Sequence, residues 1–209
     1  TSRRWDGALA ALDARALGPL AVAWRGALGR PAWLTDLLSL FYVSYYLVPL
    51  AMAIALHRRG ERDAVERFAF AMQLTLLLTY AGYFLFPAAG PRVPAAEAQA
   101  VLGGGAASRA VRGFLYACEL NGLDAFPSGH TAVALVFAAL GRRLLPGWRA
   151  PVAIAAAGIV VSTVYLSHHY AVDVVAGAAL AAGVLAASEP LRHALARPAP
   201  QALAARPSP

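Results

Sequence analysis

The alternation of long apolar runs with short arginine-bearing breaks limits what this chain can fold into. Trp33 to Leu56 is a run of 24 residues with a single charge, Asp36. About 20 apolar residues cross a bilayer, and backbone in lipid must satisfy its own hydrogen bonds, so the run reads as a transmembrane helix. Four more follow: Phe68 to Phe86, the stretch from the Pro127-Ser128-Gly129-His130 turn to Gly141, Pro151 to Leu166, and Val172 to Ala187. The expected fold class is an all-α, polytopic membrane helix bundle with five clear spans. Charged residues make up 14% of the chain, against about 25% in soluble domains.

The connections divide the chain further. Residues 5–28 carry Asp13, Arg15, Pro19 and Arg25 among Ala, Leu and Trp. They are expected to form an interfacial helix or a poor sixth span. Residues 88–125 are rich in Gly, Pro and Ala, with a Gly103-Gly104-Gly105 hinge and a short helix expected over Ser108 to Leu120. Long connections in compact domains are commonly functional, and an extracytoplasmic lid over a site is the preferred reading. Residues 1–187 form one membrane domain, and the Pro/Ala/Arg-rich tail at 188–209 is expected to be disordered.

All 18 basic residues are arginine, and the formal charge is +7. The arginines sit mostly between apolar runs, so topology and anionic lipid account for them and nucleic acid is not an expected partner. The lone Cys118 excludes an intrachain disulfide and multi-cysteine metal sites. Five alternating spans put the 57–67 loop, the 141–149 loop and the tail on one face. That face holds ten arginines, at 58, 59, 62, 67, 142, 143, 149, 192, 197 and 206, whereas the long loop holds three, at 92, 109 and 112. The positive-inside rule then places the long loop outside the cytoplasm. It also puts two histidine motifs on one extracytoplasmic face.

The first is Phe126-Pro127-Ser128-Gly129-His130, running straight into an apolar helix. Ser128 can cap that helix and Gly129 lets another group approach the backbone. A helix N-terminus attracts phosphate, and a histidine there can move a proton to or from it. The alternative is a plain helix cap with an incidental histidine. The second is His169 with Asp173, four residues apart and so on one helical face. A carboxylate holding one imidazole nitrogen leaves the other as nucleophile or base; the alternative is a buried pair joining two helices. Arg92 follows a rigid Gly90-Pro91 frame and suits bidentate phosphate binding, or a snorkelling anchor. For His168 a second phosphate ligand, a structural hydrogen bond and no role all stand open. Three histidines and an aspartate could bind zinc, but their spacing is not the usual ligand spacing, and no metal is expected.

Phe126-Pro127-Ser128-Gly129-His130 together with Tyr165-Leu166-Ser167-His168-His169-Tyr170-Ala171-Val172-Asp173 resembles the type 2 phosphatidic acid phosphatase superfamily, which shares its helical core with the vanadium haloperoxidases. The resemblance covers about residues 33 to 187. It implies that His169 attacks phosphorus, Asp173 orients it and His130 protonates the leaving oxygen, while Arg92, Ser128 and Gly129 hold the phosphate, with no cofactor. The family's motif lysine falls on Leu85, Val93 replaces the proline after Arg92, and Thr163 stands where a second arginine is usual. His168, Arg109 or Arg112 could compensate. The wording around His169 is closest to the inositol phosphorylceramide synthase branch.

The leading expectation is a metal-independent lipid phosphatase in the bacterial inner membrane. It would cleave a lipid phosphate ester through a phosphohistidine at the extracytoplasmic face. The alternatives are a phosphotransferase that moves a phospho-headgroup between lipids, and a non-catalytic lipid-binding membrane protein.

Overall fold

A computed structural model describes residues 4–118 and 122–196. Its helices are α1 (Asp6–Ala16), α2 (Leu20–Leu28), α3 (Ala32–Arg58), α4 (Arg62–Leu85), α5 (Ala98–Leu102), α6 (Ala106–Cys118), α7 (Gly129–Leu144), α8 (Arg149–Tyr165, after a 3₁₀ turn at Pro146–Trp148) and α9 (Ala171–Ala196). The architecture is an all-α membrane bundle. Among the described residues, four helical stretches have the length and apolarity to cross a bilayer: 32–58, 62–85, 146–165 and 171–196.

The fifth expected span, α7, has 16 residues, or about 24 Å at 1.5 Å per residue, short of a 30 Å hydrocarbon core. It is the central helix. Val133, Phe137, Met52, Leu56, Phe68 and Ile159 form one buried cluster that joins α7 to α3, α4 and α8. Val136, Ala71, Ala181 and Val184 join it to α4 and α9. A helix enclosed by four longer ones need not match the bilayer itself, and its N-terminus opens inside the bundle. Large apolar side chains such as Leu47, Leu77, Phe84 and Ile154 cover the outer faces of the surrounding helices, the pattern a lipid environment requires.

Residues 5–28 are not one helix. Gly18 and Pro19 break them into α1 and α2, of 11 and 9 residues, each too short to span. Both lie over the histidine end of the bundle. Trp5 N–H donates to Pro87 O at 3.0 Å, and Asp6 Oδ1 accepts from Ala89 and Gly90 N–H at 2.8 and 3.1 Å. Asp13 Oδ1 accepts from Val172 N–H at 3.0 Å, capping α9 from another helix.

The long connection folds into α5 and α6, with α6 starting two residues before the expected helix; Glu119 and Leu120, at its expected end, lie outside the described residues. It is tied to the start of α3. Asp36, the single charge of the first apolar run, accepts from Gly105 and Ser108 N–H at 2.7 and 3.0 Å. Thr35 Oγ1 donates to Leu102 O at 3.1 Å.

At the opposite end, Arg192 meets Asp63 at 3.0 Å and Glu189 at 3.2 Å. These pairs accompany an α9 that continues to Ala196, where the tail was expected to be disordered from residue 188. The remaining tail residues, 197–209, lie outside the described residues.

Candidate active site

Three local devices bring the site together. Ser128 accepts from Thr131 N–H at 3.3 Å as the N-cap of α7, and Ser128 N–H donates to Asp173 O at 3.0 Å, fixing α7 against α9. The two ends of the long connection pair where Ala125 N–H donates to Ala88 O at 3.0 Å. The α8–α9 turn is a Schellman closure: His168 N–H donates to Thr163 O and Ser167 N–H to Val164 O, both at 3.0 Å. Ser167 takes φ 58, a left-handed position where glycine is usual.

His169 is buried. Its Nδ1 lies 2.9 Å from Ala125 O and 3.6 Å from Asp173 Oδ2. Both neighbours are acceptors, so Nδ1 carries the proton and Nε2 is the lone-pair nitrogen. Asp173 Oδ2 also accepts from Tyr170 N–H at 2.9 Å, closing the first turn of α9.

His130 lies 6.1 Å from His169 between ring centroids. It packs against two tyrosines of α3, stacked on Tyr42 and tilted on Tyr45, each at 4.1 Å. Its Nε2 is buried without a hydrogen-bond partner among the described residues. A cavity of about 110 Å³ holds His130, His169 and Arg92 with Tyr42, Tyr45, Tyr46, Tyr80, Tyr83 and Asp124. Arg92 forms an ion pair with Asp124. Gly90, at φ +74, makes the turn that delivers Arg92, and a Cβ there would come within 2.7 Å of His168 O.

The other candidates do not line this cavity. Gly129 gives close approach, as expected, but to Tyr83: a Cβ would meet the Tyr83 hydroxyl at 2.6 Å and Thr79 Cγ2 at 2.9 Å. His168 stacks on Tyr42 at 4.3 Å, and burial, with His169 and Arg92 adding to it, pulls its imidazole down to about 3. It is a neutral packing group and does not replace a missing cation. Arg112 donates to Gly103 O and Gln99 Oε1 at 3.1 and 2.6 Å, and Arg109 is exposed on α6. Neither lines the cavity.

A family model described as the PAP2 superfamily matches residues 7–187. The chain belongs to the PAP2 superfamily. It is 30% identical over 155 residues to a phosphoinositol dihydroceramide synthase of Bacteroides thetaiotaomicron, a match covering 66% of this chain and 50% of that protein. The matched stretch thus spans about half the length of that relative. No solved structure matches. Membership fits a membrane enzyme that processes lipid phosphates. Two of the three departures from the PAP2 pattern, the missing cations, have clear places in the fold. Leu85, at the lysine position, is 68% exposed on the outer surface. Thr163, at the arginine position, turns its hydroxyl back to Val160 O at 2.7 Å and supplies the carbonyl that receives His168 and His169 N–H.

Sequence reasoning missed the Ala125 carbonyl, Asp124, Tyr83 and Arg25. Arg25 Nη1 donates to Tyr165 O and Ser167 Oγ at 2.7 and 2.8 Å, bringing α2 onto the α8–α9 turn. Backbone carbonyls leave no signal in sequence. The tyrosines leave one, the cluster Tyr42, Tyr45, Tyr46 within a single apolar run.

Proposed function

We propose that this protein cleaves a lipid phosphodiester and passes the phosphorylated headgroup to a hydroxyl acceptor, through an intermediate on His169. The observation that carries the reading is the orientation of His169, with Nδ1 held by Ala125 O and Asp173 and Nε2 left as the nucleophile. In the first half, Nε2 attacks phosphorus. An N–P bond forms, the P–O bond to the lipid alcohol breaks, and protonated His130 gives its proton to the departing oxygen. In the second half, neutral His130 takes the proton of the acceptor hydroxyl, whose oxygen attacks phosphorus and releases His169.

Charge supports a phosphodiester donor. Among the described residues Arg92 is the arginine in the cavity, and Asp124 offsets its charge. A phosphodiester carries one negative charge and a phosphomonoester close to two at neutral pH, so a cavity short of cations suits the diester. The similarity to a phosphoinositol dihydroceramide synthase supports the same reading. Hydrolysis is the outcome when water takes the acceptor's place. Gathering of Arg58, Arg62, Arg142 and Arg149 at the end opposite the histidines supports an extracytoplasmic site in the inner membrane.

The experiment is incubation of the purified protein with a panel of lipid phosphomonoesters and phosphodiesters, with and without a lipid alcohol acceptor. Free phosphate, free headgroup and new phospholipid are scored separately. New phospholipid from a diester is the expected result. Phosphate release from monoesters alone would replace transfer with phosphatase action.

A further inference from the structure

His169 lines two cavities. The first is the tyrosine cavity described above. The second, of about 320 Å³, lies beneath α1 and α2 and is walled by Asp13, Arg25, Ser167, His169 and Tyr170 with apolar residues such as Val22 and Val164. Small-molecule pockets begin at about 300 Å³; the second chamber reaches that size and the first does not.

The two chambers differ in what they face. The tyrosine cavity is bordered by α3 and α4, and its rim residues Tyr46 and Tyr80 are 50% and 56% exposed on those lipid-facing helices. It also holds His130, the proton donor to the lipid oxygen. The second chamber sits under the non-spanning N-terminal helices, and His130 is not on its wall. Its polar wall mixes donors and acceptors. Arg25 uses Nη1 on Tyr165 O and Ser167 Oγ, which fixes the guanidinium plane. A guanidinium carries five N–H donors, so others remain for a ligand. Asp13, on the same wall, offers carboxylate oxygen. Vicinal hydroxyls, each donor and acceptor, match both halves of such a wall, whereas an ammonium headgroup has no acceptor to offer the Arg25 N–H donors.

We infer that the chamber beneath α1 and α2 is a headgroup pocket for a polyhydroxylated phosphate ester, with Asp13, Arg25 and Ser167 as its specificity residues. The lipid alcohols, leaving and incoming in turn, use the tyrosine side, and the phosphorus lies between the chambers at His169. The inference rests on the transfer reading for the position of the phosphorus. The binding it asserts is measured without turnover.

The test titrates the full chain in detergent with myo-inositol 1-phosphate, phosphoethanolamine and inorganic phosphate. The expected result is that inositol phosphate binds about tenfold or more tighter than phosphoethanolamine. Arg25→Gln and Asp13→Asn should remove that preference, and Ser167→Gly should narrow it. Asparagine keeps an acceptor for Val172 N–H, and glycine suits the left-handed backbone at 167, so both variants retain the fold. No preference in the wild type, or a preference that all three variants keep, overturns the headgroup pocket. A preference that is present while phosphodiester lipids yield neither free headgroup nor new phospholipid overturns the transfer reading and leaves the pocket standing.

Discussion

The carbonyl oxygen of Ala125 lies closer to His169 Nδ1, at 2.9 Å, than the carboxylate of Asp173 does, at 3.6 Å. The tautomer of His169 therefore has two guardians, one of them backbone. In the serine-protease triad, where the aspartate alone holds the tautomer, its change to asparagine lowers kcat about 10⁴-fold. Asp173→Asn should lower kcat less here, by about 10²-fold to 10³-fold, because Ala125 O still holds the Nδ1 proton. What is lost is the charge that stabilises the developing imidazolium. Steady-state kinetics on a phosphodiester lipid give the number, and a fall equal to that of His169→Ala would deny Ala125 its role.

Asp124 sets the charge of the cavity through Arg92. Asp124→Asn should raise kcat/KM for phosphomonoesters relative to phosphodiesters by about tenfold, the effect of about 1.4 kcal/mol. Parallel kinetics on matched mono- and diester lipids check this. An unchanged ratio would remove charge as the basis of donor choice.

Gly129→Ala should destabilise the fold by about 1–3 kcal/mol, the range for overpacking. Its Cβ would meet the Tyr83 hydroxyl at 2.6 Å and Thr79 Cγ2 at 2.9 Å. Tyr83→Phe removes the nearer clash and should recover part of the loss. Thermal unfolding of the two single variants and the double variant in detergent reads the coupling.

His168 makes a pH prediction with a definite sign. Its imidazole titrates near 6.5 when unfolded and near 3 in the fold. Between those values the unfolded chain binds more protons, so stability falls as pH drops through that window. Above about 6.5 the contribution is fully present. His168→Phe, which keeps a ring against Tyr42, should flatten the fall in unfolding midpoint between pH 6.5 and pH 3. A midpoint slope identical to that of the wild type would show that other groups drive acid loss.

The bundle was legible because lipid leaves few choices: apolar runs had to be helices, and their spacing ordered them. The meeting of His130 with His169 followed from counting spans. The ends of helices were less legible. The first expected interfacial helix broke at Gly18 and Pro19, and α9 continued past residue 187 because Arg192 found Asp63 and Glu189. The walls of the site were least legible. Asp36, near one end of the first apolar run, and Asp13, an interruption within residues 5–28, became caps for the distant helices α6 and α9. Of Arg109 and Arg112, plausible as substitute cations by number and side, the first is exposed on α6 and the second turns to Gly103 O and Gln99, while Arg25 reaches the His169 turn from a helix 140 residues upstream. Such pairings depend on how the elements pack, which periodicity does not encode.

The central claim is that His169 carries the phosphorylated headgroup. The direct measurement mixes the protein with a phosphodiester lipid in the absence of acceptor, quenches at alkaline pH and examines peptides by mass spectrometry. The account predicts a headgroup-phosphate adduct on His169 in the wild type, accumulating in step with release of the lipid alcohol and absent from His169→Ala. Turnover by His169→Ala at the wild-type rate, or an adduct on another residue, would contradict it.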